Sequence, residues 1–342
     1  MPGTGTRRLA CLGEPAVQSV AVDNQTSLRS CVEAAIAETT ARHLRIASIE
    51  RHPARRPSSY PTERLSIRFD NGETLELFLK DFAARPADRS NLRQSWQREA
   101  MVYRDLLAGA NLGTARCYGW MRDERSGRGR LLLEYVPAPS LQACGPQFVP
   151  LAAAWLAKLH AFVSRNPDRL AGAGYLVRHD EQFHWTQAQQ AAQSLAGYDL
   201  SLASRVEQVL KRYERCVKVM AAQERTLVHG SYRPRHILLD PAGSRLCPID
   251  WERAAIGSRY FDLAYLTPEM SPQELEHVVQ AYCAASRQAG MNVPSEEEVT
   301  HSLNCFRLHL LMGRLREWPA RPGRAFACEQ IVARVESLAR DV

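Results

Sequence analysis

The residues with the clearest chemical potential fall in one segment, residues 226–267, which begins TLVHGSYRPRHILLD. Within it, Asp250 follows an apolar strand pattern at Arg245–Ile249. A carboxylate at the end of a strand suits Mg²⁺, because this ion takes hard oxygen ligands and is usually held by one or two carboxylates plus phosphates. Taken alone, Asp250 equally suits a helix cap or a salt bridge.

Four short motifs of this segment occur in a fixed order: His229-Gly230-Ser231, then His236, then Ile249-Asp250-Trp251-Glu252, then Asp262-Leu263-Ala264. In order and spacing this set resembles the catalytic segment of the aminoglycoside phosphotransferase and choline kinase superfamily, the small-molecule branch of the protein-kinase-like fold. The resemblance runs from about residue 44 to about residue 270. It implies an α+β, bilobal protein-kinase-like fold with a small β-rich N-lobe and a larger helical C-lobe.

Upstream residues match the same template. Lys80, one of only four lysines, ends a predicted strand where such kinases place the lysine that reaches the nucleotide's phosphates. Glu99 lies on the apolar face of the next predicted helix, and the resemblance implies a Lys80–Glu99 ion pair; the alternative is a glutamate at the edge of the apolar stripe. The stretch from Glu134 to Val136 resembles the interlobe hinge, whose backbone groups would bind the adenine edge, although a plain buried strand remains an alternative.

The resemblance also implies roles for the polar residues of the catalytic segment. Asp250 would hold Mg²⁺, and His229 would brace the catalytic loop. Asp262 would fasten that loop through backbone N–H groups. Arg233 would offset the charge of the transferred phosphoryl group.

Two residues depart from the family pattern at catalytic positions. Ser231 stands where the family has its catalytic Asp, and a serine hydroxyl is no general base near neutral pH; such assistance is typically worth about 10²–10⁴-fold in rate. His236 stands where the family has a Mg²⁺-binding Asn, and imidazole suits Zn²⁺, Mn²⁺ or Ni²⁺ better than Mg²⁺. Glu252 is the nearest candidate for a substitute carboxylate.

A third departure is the loop expected to cover the nucleotide, residues 51–63. Its sequence, RHPARRPSSYPTE, has three prolines and no glycine, so close backbone approach to phosphates is harder to achieve. Side chains could replace the backbone donors, namely those of Arg51, Arg55, Arg56, Ser58 and Ser59. The alternative is an exposed basic loop.

Periodicity predicts the elements that would carry these residues. We expect a loose arm over residues 1–25, a helix over 27–43, a hairpin turning at Asn71-Gly72, a helix over 90–108 and mostly helices after residue 150. The acidic run at 296–298 predicts a helix start capped by Ser295 rather than a polycation site. The corresponding domains are an N-terminal arm and helix (1–43), an N-lobe (44–134), a hinge (135–140) and a C-lobe (141–342).

Composition limits the classes of protein and of partner. The chain has 342 residues, 45% hydrophobic and 24% charged, which excludes collagen-like and wholly disordered classes. The net charge of +7 comes from arginines spread along the chain, so nucleic acid is not an expected partner. Nine cysteines without a close pair favour reduced thiols in the cytoplasm, and no apolar run is long enough for a membrane.

These observations leave three functional hypotheses open. The first is a phosphotransferase that uses ATP (or GTP) and Mg²⁺ and acts on a hydroxyl of a small molecule, a natural-product precursor or a precursor peptide. The second is a pseudokinase that binds a nucleotide or a protein partner without phosphoryl transfer. The third is a repurposed kinase fold that transfers a nucleotidyl group or eliminates phosphate. The acceptor itself is not predicted.

Overall fold

The computed structural model describes residues 19–21, 28–54, 60–82, 97–122, 129–240, 242–317 and 325–342. The chain divides into two units, the first comprising Met1–Pro139 with Leu238–Arg253 and the second comprising Ser140–Ile237 with Ala254–Val342. Five residues of the predicted nucleotide loop, 55–59, lie outside the described residues; they include Arg55, Arg56, Ser58 and Ser59.

The first unit contains a six-stranded sheet in the order β1-β5-β6-β4-β3-β2. Its strands are β1 (Ser19–Ala21), β2 (Ile46–Pro53), β3 (Thr62–Phe69), β4 (Thr74–Asp81), β5 (Cys117–Arg122) and β6 (Gly129–Glu134). Strand β1 runs parallel to β5, and the other pairs are antiparallel. The expectation of a loose N-terminal arm is therefore wrong for residues 19–21, because the edge of β5 offers backbone groups that a short strand can pair with.

The hairpin of β3 and β4 turns at Asn71-Gly72, as predicted. Gly72 has φ +82°, a conformation that glycine adopts without strain, and the Asn71 side chain accepts a hydrogen bond from the N–H of Glu73 at 3.0 Å. The alternating apolar residues of both strands are buried, among them Leu65, Ile67, Leu77 and Leu79. This alternation fixes the register that carries Lys80 near the end of β4.

Two helices accompany this sheet. Helix α1 (Leu28–Thr40) packs Val32 and Ile36 into the same hydrophobic core as Leu65 and Leu77. The next helix, α2, is α-helical over residues 97–101 and continues as a π-helical turn over Val102–Leu107. The predicted helix over residues 90–108 is thus observed from residue 97 onward, and Glu99 lies on it.

The second unit is mainly helical. Its helices are α3 (Leu141–Cys144), α4 (Val149–Arg165), α5 (Pro167–Ala171), α6 (Glu181–Ala196), α7 (Leu200–Ala222), α8 (Tyr260–Leu266), α9 (Pro272–Gln288), α10 (Glu296–Glu317) and α11 (Ala325–Leu338). Ser295 and Glu298 form reciprocal hydrogen bonds at the start of α10, so the predicted helix start is confirmed.

The second unit also contains a small sheet of short strands. Strands β7 (Val177–Arg178), β11 (Ala255–Ser258) and β8 (Arg225–Val228) form a three-stranded sheet in that order. Strand β9 (Ile237–Leu239) pairs with β10 (Leu246–Pro248), and residues 238–253 of this segment belong to the first unit. A Cβ at Gly257 in β11 would lie 2.9 Å from His179 Nδ1, so only glycine allows this approach.

Two further observations concern membrane-spanning helices and cysteines among the residues that the structure describes. No helix among them is long and apolar enough to cross a membrane. The eight cysteines in this part of the chain are free thiols, and Cys11 lies outside the described residues.

Candidate active site

In the first unit, Lys80 lies at the centre of a group of carboxylates. Its Nζ atom is 2.7 Å from Glu99 Oε2 and 2.6 Å from Asp250 Oδ1. Glu252 Oε2 lies 3.5 Å from the same nitrogen. The structure therefore contains the Lys80–Glu99 ion pair predicted from the sequence, with two further carboxylates around the same ammonium group.

Three separate parts of the sequence build this cluster. Strand β4 supplies Lys80, helix α2 supplies Glu99, and the segment after β10 supplies Asp250 and Glu252. The Arg98 guanidinium on α2 donates a 2.7 Å hydrogen bond to the backbone carbonyl of Glu252, which ties the helix to this segment. The cluster is thus held by this contact between helix α2 and the segment after β10, as well as by the charges of its own residues.

Burial and charge act in opposite directions on the ionisable groups of the cluster. Lys80 is 4% exposed and Glu99 is 1% exposed. Burial alone would lower the pKa of Lys80, but the charges of Glu99, Asp250 and Glu252 together raise it, so the amine is held as an ammonium ion. Burial raises the pKa of Glu99 to about 7 while the charge of Lys80 opposes the shift, and burial also raises the pKa of Glu252.

The composition of the cluster suits a divalent cation. One carboxylate oxygen each from Glu99, Asp250 and Glu252 lie within 4.8 Å of one another. When all three are ionised, Lys80 leaves two negative charges uncompensated, and hard oxygens are the ligands that Mg²⁺ takes. Glu252 Oε2 is buried, and its partner among the described residues is Lys80 Nζ at the long distance of 3.5 Å. These residues therefore fit Mg²⁺.

Asp250 has an unusual backbone conformation, with φ +71°. This left-handed region is uncommon outside glycine, although Asp and Asn tolerate it better than other residues. Such strained residues concentrate at functional sites. The conformation lies directly before the 3₁₀ turn Trp251–Arg253, in which Trp251 is fully buried.

Aromatic rings cover the ammonium group on another side. The ring centroids of Tyr60 and Phe82 lie 5.4 Å and 5.2 Å from Lys80 Nζ, a distance at which cations are attracted to ring faces. The two rings pack edge to face with centroids 4.7 Å apart. Tyr60 belongs to the predicted nucleotide loop, so at least this residue of the loop packs against the lysine.

The predicted hinge begins at the end of β6. The Glu134 carboxylate is held by Arg245, with nitrogen–oxygen distances of 2.6 Å and 2.8 Å, and accepts a 3.1 Å bond from the N–H of Arg116. Its own N–H donates to the carbonyl of Arg116. By contrast, the N–H of Val136 has no acceptor among the described residues, which leaves it available to a ligand.

In the second unit, the polar loop 229–236 is fastened by Asp262 at the start of α8. The Asp262 carboxylate accepts from the N–H groups of His229 at 2.6 Å and Gly230 at 3.0 Å. Burial raises the pKa of Asp262 to about 7, although these two bonds favour the ionised form. The predicted contact of Asp262 with loop N–H groups is confirmed. His229 is fully buried, and its Nδ1 accepts a 3.3 Å bond from the N–H of Ser231.

The remaining loop residues form their own network. His236 Nδ1 lies 2.9 Å from the Ser231 carbonyl, and its Nε2 accepts from Arg235 Nε at 3.0 Å. Both ring nitrogens are therefore engaged, and His236 offers a metal no lone pair in this arrangement. The Arg233 guanidinium lies over the Tyr265 ring, 4.9 Å from its centroid. Ser231 is 6% exposed and brings no carboxylate to the loop.

Sequence reasoning missed several contacts. The clamp of Arg245 on Glu134 and the contact of the Tyr60 ring with Lys80 join residues far apart in sequence, so no local pattern predicts them. Phe82 lies two residues from Lys80, and its contact was not predicted either. The contact of Glu252 with Lys80 had one sequence signal, its spacing of two residues from Asp250.

Comparisons with known proteins identify the family. A model of the phosphotransferase enzyme family (APH) matches residues 63–296. A search of curated proteins finds no significant match.

Among solved structures, similar folds include a GDP and kanamycin complex of APH(2″)-IIIa, with TM-score 0.57 and 14% identity over 86% of this chain and 93% of that one. A microcompartment-associated aminopropanol kinase matches with TM-score 0.58 and 13% identity over 85% of this chain and 90% of that one. A Plasmodium vivax ethanolamine kinase matches with TM-score 0.53 and 13% identity over 86% of this chain and 82% of that one. The α+β protein-kinase-like fold expected from the sequence is thereby confirmed. With its family model matched over most of the chain, this protein belongs to the phosphotransferase enzyme family.

Proposed function

We propose that this protein transfers the γ-phosphoryl group of ATP (or GTP) to a small molecule or a precursor peptide. One observation carries the proposal: Lys80 contacts both Glu99 and Asp250, which brings the predicted phosphate-binding lysine and the predicted Mg²⁺ ligand to one point. A structural ion pair would need only one of the two carboxylates. The related structures that contain GDP support a nucleotide donor.

The residues of the first unit would bind the donor. Lys80, oriented by Glu99, would contact the α- and β-phosphates. The free N–H of Val136, with the backbone of Glu134, would bind the edge of the nucleobase. Asp250, assisted by Glu252, would hold Mg²⁺, which when bound neutralises charge on the phosphates.

The residues of the second unit would serve the transfer. Arg233 would offset negative charge on the moving phosphoryl group, and His229 would brace the loop through its contact with Ser231. Ser231 would line the acceptor side without acting as a base. Phosphoryl transfer tolerates this loss because its transition state is loose and catalysis rests mainly on positioning and charge stabilisation.

A pseudokinase is the second candidate, and two observations favour it. Ser231 leaves the loop without its carboxylate, and Lys80 is enclosed by three carboxylates and two aromatic rings. Such a protein would bind a nucleotide or a protein partner without turnover.

Steady-state turnover of Mg-ATP separates the two candidates. The phosphotransferase predicts ATP consumption that Asp250→Asn abolishes, since Asn tolerates the left-handed backbone but removes the charge. Thermal stabilisation by nucleotide, about 2.7 kcal/mol at 100 times the Kd, reports binding independently of turnover. Stabilisation without any ATP consumption would support the pseudokinase, and absence of both would contradict both candidates.

A further inference from the structure

The loop 231–236 carries two arginines that no carboxylate neutralises. Within the described residues, neither Arg233 nor Arg235 forms an ion pair with an aspartate or glutamate. The Arg233 guanidinium lies over the ring of Tyr265 and is hydrogen-bonded to the Tyr265 side chain, while its Nε atom is buried without a hydrogen-bond acceptor. Arg235 donates only to a neutral acceptor, His236 Nε2. A buried guanidinium N–H without an acceptor is costly unless a ligand supplies one.

A third arginine adds to this positive charge. Burial, together with the nearby charges of Arg235 and Arg314, lowers the pKa of Arg233, opposed mainly by Tyr265. Arg314, on α10, is paired at 3.2 Å with Glu269, but that carboxylate is 67% exposed and competes with water for the contact. The proposed acceptor side, next to Ser231, therefore has a surplus of cationic hydrogen-bond donors, the arrangement that binds carboxylates and phosphates.

The missing base points to the same chemistry. A neutral hydroxyl must lose its proton during attack, which explains why a kinase of this family uses a carboxylate at the position of Ser231. A carboxylic acid, with a pKa of about 4, is already ionised at neutral pH and needs no base. An anionic acceptor would also be repelled by a carboxylate at position 231, whereas a serine hydroxyl can donate a hydrogen bond to it.

We propose that the acceptor attacks through an oxyanion, a carboxylate or a phosphate, rather than through a hydroxyl; this inference rests on the proposed function. A lone pair of the oxyanion forms the new O–P bond to the γ-phosphorus. The bond from that phosphorus to the β,γ-bridging oxygen breaks, its electron pair leaves with ADP, and no proton has to be removed. The product is an acyl phosphate or a phosphoanhydride, and the arginines of the loop hold the acceptor.

Anion binding to the full chain tests the proposal. The donor site is first filled with Mg²⁺ and AMP-PNP, a non-hydrolysable ATP analogue, so that added anions cannot occupy the γ-phosphate position. Inorganic phosphate, acetate and kanamycin are then titrated by calorimetry. We expect phosphate or acetate to bind and Arg235→Gln to weaken that binding at least about tenfold, the effect of losing one charge-assisted contact. The exposed Arg215→Gln on α7 is the matched control and should leave the affinity unchanged.

Position 231 provides a second, independent comparison. Ser231→Asp should weaken anion binding about tenfold relative to Ser231→Asn, because the two variants have nearly the same size and differ in charge. Equal affinities in these variants, or binding of kanamycin but of neither anion, would overturn the oxyanion acceptor while leaving the proposed function intact. Failure of AMP-PNP itself to bind would overturn both.

The products distinguish the two acceptor classes. With ATP and acetate, trapping by hydroxylamine would give a hydroxamate from an acyl phosphate. With ATP and inorganic phosphate, ³¹P NMR would detect pyrophosphate. Faster ATP turnover in Ser231→Asp than in the wild type would contradict the proposal, since it would mean that the loop only lacks a base for a hydroxyl.

Discussion

Lys80 is the positive charge that faces the three carboxylates of the cluster in the first unit. It is the only cation within 4 Å of three carboxylates, considering the described residues, and Glu99 is almost fully buried beside it. The desolvation of a buried ion pair costs free energy, so the pair itself is weak evidence of stability. Removing one partner, however, leaves a buried charge without compensation.

We therefore expect Lys80→Met to lower the free energy of unfolding by about 3–5 kcal/mol. The double variant Lys80→Met/Glu99→Gln should recover part of that loss, because it removes the stranded charge as well. Urea denaturation of the wild type, both single variants and the double variant measures the coupling. Lys218→Met, which disrupts an exposed pair with Glu214, is the control and should change little. Additive effects of the two substitutions would contradict a coupled pair.

At the scale of elements, Asp262 joins the start of helix α8 to the polar loop. Its carboxylate is completely buried and accepts two backbone N–H groups, at His229 and Gly230. Gly230 itself has φ +77°, a left-handed conformation that glycine adopts without strain. The loop geometry thus depends on a residue outside the loop.

Asp262→Asn should destabilise the protein by about 1–3 kcal/mol, because the amide presents an N–H₂ group to a site that requires two acceptors. Hydrogen exchange at the amides of His229 and Gly230 should accelerate more than exchange in helix α7. The exposed Asp168→Asn provides a matched control. Unchanged protection of these two amides would show that Asp262 does not hold the loop.

How far the sequence predicts the structure also depends on the element. Alternation around Asn71-Gly72 predicts the hairpin, and the Ser295 cap predicts the start of α10, because both signals are local. The Lys80–Glu99 pair was found only through resemblance to a family. The contact of Lys80 with Asp250 spans 170 residues, and the contact of Arg245 with Glu134 spans 111, so neither follows from any periodicity. Strand β1 was missed because pairing to an exposed edge needs little sequence pattern.

For the whole molecule, buried histidines should control stability in mild acid. Burial is the main cause that lowers the pKa of His160 to about 3 and of His184 to about 4, and that of His309 well below its usual value. The unfolded chain takes up these protons near pH 6.5, whereas the folded chain does not. The stabilising contribution of each buried histidine is therefore present above about pH 6.5 and is lost as the pH falls towards the pKa of that histidine in the folded state.

Glu99 and Asp262 oppose this trend, since their raised pKa values make their stabilising contribution fade as the pH rises towards 7.

Comparing a histidine variant with the wild type separates the effect of the histidines from that of these carboxylates. Between pH 7.5 and pH 5.0, the melting temperature of His184→Leu should fall less than that of the wild type. The difference corresponds to at most about 1.4 kcal/mol of unfolding free energy per pH unit. The exposed His301→Leu should decline as the wild type does. An identical decline in His184→Leu would contradict the assignment.

The account as a whole depends on Asp250 and Lys80 forming one Mg²⁺–nucleotide site. Its most direct test is the affinity for AMP-PNP with and without Mg²⁺, measured by calorimetry on the wild type and on Asp250→Asn. We predict that Mg²⁺ tightens binding to the wild type at least about tenfold, the equivalent of about 1.4 kcal/mol, and that Asp250→Asn, folded and still able to bind nucleotide weakly, loses this dependence. Equal Mg²⁺ dependence in the two proteins, or no nucleotide binding by the folded wild type, would contradict it.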